Sequence, residues 1–145
     1  MRLVVDTNVF LDVLLRRDGF FDESSAFFVH CRQHCDQILV SVMTLRDVQY
    51  IVSRIFHSQS EGRKAAVRSY QMASKVIYAE SDDAIAALFD DEGDYEDNIM
   101  AEIAERNMAD AIVTNDRSGF RNSKIPVFTP KEYNDIRNRE EKRRT

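Results

Sequence analysis

Five aspartates spread along the chain have the chemistry to act together. Asp6 closes the apolar run RLVV, Asp47 lies in SVMTLRDVQYIV, and the stretch DYEDNIMAEIAERNMADAIVTND carries Asp94, Asp97 and Asp116. Carboxylates held close together repel, which raises some of their pKa values and costs stability unless a cation lies among them. All-oxygen ligation with no Cys or His nearby suits Mg2+ or Mn2+, and Mg2+ takes one or two carboxylates together with waters and a substrate phosphate. Such a constellation serves phosphodiester hydrolysis, in which the cation orients a water, lowers its pKa and offsets charge building on phosphate oxygens.

Whether the acids meet depends on the elements that carry them. Residues 2–5 (RLVV) read as a strand, and Val9, Phe10, Val13 and Leu14 give helical spacing over 8–16. A second helix over 21–35 runs through Ser24, Phe27, Phe28, Cys31 and Cys35, followed by strand QILV at 37–40. Leu45, Val48, Ile51, Val52 and Ile55 mark a third helix, SEGRKAAVRSYQMASK a fourth, and KVIY at 75–78 a third strand. Helices over 82–89 and 95–107, strand AIV at 111–113, a final strand PVF and a helix over about 131–138 complete the order.

Short strands alternating with helices, with no hairpin turn signals, imply βα units. The expected fold class is therefore α/β, a three-layer α/β/α arrangement around a parallel sheet of four or five short strands. Residues 1–138 are expected to form one domain, and the charged residues 139–145 a frayed tail.

In that topology Asp6 and Asp116 lie at the carboxyl edge of the strands, where open α/β sheets place ligands. Return helices run antiparallel to the strands, so their N-termini share that edge and bring Asp47, Asp94 and Asp97 to it. The competing explanation is capping: Asp94-x-x-Asp97 and Thr44-x-x-Asp47 both have the pattern of a helix start, where acids complement the dipole by about 0.3–1 kcal/mol each.

At these residues the chain resembles the PIN domain, a small α/β nuclease family that includes the VapC toxins of bacterial toxin–antitoxin pairs. VVDTNVFLDVLLRR is similar to the family's opening strand, first acid and Asn-containing helix, and DYEDNIMAEIAERNMADAIVTNDRSGFRNSKIPVFTPKEY to the second half of a bacterial subgroup. The resemblance implies Asp6, Asp97 and Asp116 as metal-site acids, Asp94 and Asn8 as supporting residues and Thr114 as a hydroxyl neighbour. The family's second acid is usually Glu; here the position is offered by Asp47, one methylene shorter. Related sequences often carry Asp directly before the Phe of TNDRSGF, where this chain has Gly119, so the fourth acid is Asp116 or absent.

The resemblance further implies a Mg2+- or Mn2+-dependent ribonuclease that leaves 5′-phosphate and 3′-hydroxyl ends and is silenced by a partner antitoxin. The alternative is a catalytically weak PIN scaffold that binds nucleic acid or protein. A receiver-like signalling domain also gathers acids at strand ends, but it wants adjacent acids after the first strand, and this chain has DTN.

Composition bounds these readings. The chain has 145 residues, 43% hydrophobic and 31% charged, with 4 Gly and 2 Pro, which excludes disordered and collagen-like classes. No apolar run approaches a membrane span, and an Asp interrupts the N-terminus before any signal-like stretch, so a cytoplasmic location is expected. The net charge of −5 lacks the basic footprint of a nucleic-acid binder, but acids that hold a cation enter that sum while the cation does not.

The segment HCRQHC (30–35) has zinc half-site spacing, yet Cys31 and Cys35 continue an apolar stripe and no second ligand pair follows; core cysteines are the expected reading. Arg46, directly before Asp47, is the preferred phosphate contact among the basic residues of the first half. Phe20, Phe21, Phe27, Phe28, Tyr50 and Tyr70 are expected mainly in the core, with some left for a homodimer or antitoxin surface.

Overall fold

A computed structural model describes all 145 residues. The chain runs β1 (Arg2–Val5), α1 (Thr7–Leu14), α2 (Phe21–Gln33), β2 (Gln37–Ser41), α3 (Val42–Phe56), α4 (Gln59–Met72) and β3 (Lys75–Ile77). It continues through α5 (Ser81–Leu88), α6 (Tyr95–Arg106), β4 (Ala111–Val113), a 3-10 turn (Arg117–Phe120), β5 (Val127–Phe128) and α7 (Pro130–Arg144). The five strands pair in the order β3-β2-β1-β4-β5, and every pair is parallel. Leu3 lies opposite Ile38 on one side and Ala111 on the other, and Val4 opposite Leu39 and Ile112.

Strand side chains alternate between faces, and here both faces are covered. Leu3, Val5, Ile38, Val40, Ala111 and Val113 point into a core shared with α1, α2, α3, α4 and α7, where Phe10, Phe27, Val48 and Tyr133 are buried. Val4, Leu39, Ile77 and Ile112 point the other way, against Ala87 of α5, Ile99, Met100 and Ile103 of α6, and Phe120. The near-continuous apolar runs of the central strands follow from this: a parallel strand covered on both sides has no solvent face to make polar. The order of covered strands also sets the site, because it puts β1 at the centre with β4 beside it.

Several boundaries differ from the sequence expectation. Helix α2 stops at Gln33, and Cys35 follows in a left-handed turn (φ 57°), so Cys35 is exposed while Cys31 is buried; the expected pair of core cysteines is one. Helix α3 begins at Val42 and is capped by Ser41, whose Oγ accepts from Met43 N at 3.1 Å. Thr44 is therefore not a cap. It is wholly buried inside the helix, and Thr7 Oγ1 donates to its Oγ1 at 3.2 Å. Helix α7 opens with Thr129 and Glu132 in a reciprocal capping box, with Pro130 at its first position, and continues past 138 to Arg144. No helix is long and apolar enough to cross a membrane.

Candidate active site

Asp6 extends the β1–β4 ladder by one step, its amide donating to the Val113 carbonyl at 2.9 Å, and then caps α1, with Oδ1 accepting from Thr7 N at 2.7 Å. Its other oxygen is held from β4: Thr114 Oγ1 donates to Oδ2 at 2.8 Å, and Asn8 Nδ2 approaches the same oxygen at 3.3 Å. Asn8 also donates to Thr114 Oγ1 at 3.1 Å and accepts from Asn115 N at 3.1 Å. The carboxylate's orientation is thus set by the first turn of α1 and by the residue that follows β4. Burial pushes its pKa up, the charges of Asp116 and Asp47 push it further, and the bonds from Thr114 and Thr7 oppose the rise.

Asp94 and Asp97 sit at the start of α6 but do different things. Asp94 is the N-cap, its Oδ1 accepting from Glu96 N at 2.9 Å, so the capping account holds for it. Asp97 does not return to the cap residue. Its carboxylate takes no hydrogen bond from a neighbour, and its pKa is pushed up to about 7 by burial first and then by the charges of Asp6, Asp94, Asp116 and Glu96. Asp116 follows β4 and caps the 3-10 turn: Oδ1 accepts from Ser118 N at 3.1 Å and Ser118 Oγ at 2.5 Å, which holds its carboxyl below the usual range. Its own amide donates to Thr114 Oγ1 at 3.1 Å, so one buried hydroxyl orients both Asp6 and Asp116.

Asp47 lies in the second turn of α3, partly exposed, and Arg46 donates to its Oδ1 from both Nε (3.3 Å) and Nη2 (3.0 Å). Two clefts meet at the acids. One, of about 510 Å3, runs between α1, α3 and α6 and is lined by Asp6, Asn8, Arg46, Asp47 and Asp97, with Arg17 at its margin. The other, of about 570 Å3, lies between α6 and the 3-10 turn and is lined by Asp94, Asp97, Asp116, Gly119 and Arg121. Asp97 belongs to both.

Sequence reasoning missed one acid. Asp12 of α1 is 2% exposed and accepts from Ser24 Oγ at 2.9 Å and from the Asn115 side chain, with Arg17 Nη1 at 3.8 Å. Burial raises its pKa against those three partners. Since Asn115 N bonds Asn8, and Asn8 bonds Asp6 and Thr114, Asp12 anchors the far end of a hydrogen-bond chain that reaches the site. The available signal was Ser24, a polar residue on the buried stripe of α2 that required a polar partner.

The HCRQHC segment forms no ligand cluster. His30 Nδ1 is 3.0 Å from Asn134 Oδ1, His34 Nε2 pairs with Glu141 at 3.0 Å, and Cys31 is buried with its thiol pushed up to about 12. At the opposite edge of the sheet, buried Asp36 is held by Tyr133 and Arg137 and ties α7 to the start of β2. The aromatics are not mainly in the core as expected: Phe27 is fully buried, Phe21 and Phe28 are half-buried, and Phe20, Tyr50 and Tyr70 are exposed, because Phe20 lies at the N-cap of α2 and the two tyrosines fall on the outer faces of their helices.

The fold is shared with several solved structures. A toxin–antitoxin complex from Klebsiella pneumoniae matches with a TM-score of 0.63 at 19% identity, covering 90% of this chain and 98% of the other. FitAcB from Neisseria gonorrhoeae matches with a TM-score of 0.66 at 15% identity over 88% and 97%. VapC20 from Mycobacterium tuberculosis, a Sarcin-Ricin loop cleaving toxin, matches with a TM-score of 0.62 at 13% identity over 81% and 92%. No curated protein sequence matches the chain. Residues 2–118 match the model of the PIN domain, and the chain therefore belongs to the PIN domain family.

Proposed function

We propose that this chain is a divalent-metal-dependent endoribonuclease acting on RNA in the cytoplasm as the toxin of a toxin–antitoxin pair. Asp6, Asp47, Asp97 and Asp116 are the proposed ligand set, with Asn8, Asp94 and Thr114 supporting them. The observation that carries this reading is Asp97. An acid that acts as a cap has a lone pair occupied by a backbone N–H, as Asp94 and Asp116 do; Asp97 has no such partner, yet it lines one cleft with Asp6 and Asp47 and the other with Asp94 and Asp116.

The donor set fits Mg2+ or Mn2+, being all oxygen with no Cys or His. Mg2+ needs only one or two of these carboxylates as direct ligands, the others acting through its bound waters. When bound, the ion supplies a water of lowered pKa and a positive charge beside the scissile phosphate. The chain's own part is positional. Thr114 and Asn8 fix the Asp6 carboxylate, Thr114 also fixes Asp116 through its amide, and Arg46 at the cleft wall meets a phosphate of the incoming strand. With no His among the cleft residues to take a proton, that proton passes to a carboxylate or to solvent.

An antitoxin is the proposed silencing partner, by likeness to relatives crystallised in such complexes; the exposed Phe20, Tyr50 and Tyr70 are apolar surface open to it or to a second copy of the chain. One observation favours the rival reading of a weak scaffold that binds without turnover: Arg46 already neutralises Asp47, the shortened second acid. Cleavage of a labelled mixed RNA pool in Mg2+ or Mn2+, with EDTA and Asp6→Asn as controls, separates the two. Metal-dependent cleavage that disappears in the variant supports the nuclease. RNA binding without cleavage by folded protein supports the scaffold.

A further inference from the structure

A side chain at position 119 would enter space that the Asp97 carboxylate holds. A Cβ built on Gly119 would stand 1.6 Å from Asp97 Oδ2, 2.6 Å from Asp97 Cγ and 3.1 Å from Asp97 Cβ. The Asp97 carboxylate thus fills the volume that a residue-119 side chain would take. The contact is reinforced one residue before the α6 cap. Gly93, in a left-handed conformation (φ 82°), would bring a Cβ to 3.0 Å from the Gly119 carbonyl oxygen, and Asn98 Nδ2 donates to the Glu92 carbonyl at 2.9 Å to hold that loop. Two glycines therefore let the entry to α6 lie directly on the 3-10 turn that begins at Asp116. Gly119 itself does not have a positive φ, so its requirement is for space and not for backbone freedom.

We infer that Gly119 is a positioning residue: by lacking a side chain it seats the Asp97 carboxylate against the 3-10 turn, at a set separation from Asp116 across the second cleft. This deepens the metal-centre proposal above and rests on it for its consequence, though not for the contact itself. The position is not a missing ligand. An acid added at 119 enters space that Asp97 already holds, and one carboxylate must move away.

Two measurements test this, and neither reads activity. The first is Mn2+ affinity, from the free-ion EPR signal, for wild type, Gly119→Ala and Gly119→Asp. Both variants are expected to bind Mn2+ about tenfold or more weakly, the scale on which residues that orient ligands act. Affinity unchanged in Gly119→Ala, or tightened in Gly119→Asp, would overturn the inference. The second is a thermal-denaturation cycle of Gly119→Ala in wild type and in Asp97→Ala, without metal and at about pH 4, where the Asp97 carboxyl is protonated and repulsion does not enter. Truncating Asp97 leaves only its Cβ at 3.1 Å, so Gly119→Ala is expected to lower Tm in wild type and to leave it unchanged or raised in Asp97→Ala. An equal loss in both backgrounds would place the clash elsewhere and refute the seat. If wild type binds no Mn2+, the metal-centre proposal fails, and the cycle alone still decides whether Asp97 and Gly119 share this space.

Discussion

The charge on Asp97 is expected to weaken the metal-free fold, and the effect has a defined pH window. Its carboxyl titrates at about 7 in the folded chain against 3.8 for a free Asp side chain. Between those values the folded state holds a proton that the unfolded state has released, so stability falls as pH rises through the window. Below the lower value both states are protonated and no loss is felt; above about pH 7 the loss is complete. The pKa difference alone corresponds to at most about 4 kcal/mol. Asp97 is partly exposed, and screening brings the expected figure to about 1–3 kcal/mol. Asp97→Asn removes the charge with little change of shape, so it should raise Tm by roughly 3–10 °C at about pH 8.5 and by very little at about pH 4. Mn2+ or Mg2+ should raise the Tm of wild type at the higher pH and do much less for the variant, since the ion offsets the same repulsion. Thermal denaturation of the metal-free protein across pH, with and without the ion, reads both effects. An Asp97→Asn variant no more stable than wild type at the higher pH, or stabilised equally at both, would mean that the acids do not strain one another and that Asp97 is an ordinary surface carboxylate.

Other variants address the support of the site. Asp12→Ala leaves Ser24 Oγ and the Asn115 side chain without their acceptor and should cost about 1–3 kcal/mol in urea denaturation. It should also lower kcat on RNA at temperatures where the variant is folded, because Asn115 no longer steadies Asn8; Asp12→Asn, which retains an acceptor, should recover most of both losses. Arg46→Ala should raise KM for RNA and flatten its salt dependence with little change in kcat. Its stability should stay within about 1 kcal/mol of wild type, the Arg46–Asp47 pair being at the surface.

The order of strands and helices was legible because each strand is covered on both faces and each helix on one, so hydrophobic period alone separates them. The placement of Asp6, Asp47, Asp97 and Asp116 at one edge followed from parallel topology, which needs no side-chain detail. What sequence period leaves open is which of two equivalent-looking groups is used. Thr44 has the pattern of a cap, but the turn out of β2 uses Ser41 instead and sends Thr44 inward to Thr7. Cys31 and Cys35 share a helical spacing, but the helix ends between them.

Residue type and order are enough to specify an α/β chain of parallel strands with an acidic carboxyl edge. Three features came from packing instead: Asp12 anchors Asn8 through Asn115, one Thr114 hydroxyl serves two acids, and Asp97 occupies the space above Gly119. Each of these is a contact between residues far apart in the chain, set by how α1, α6 and the end of β4 pack on the same sheet edge, and no local pattern encodes such distances.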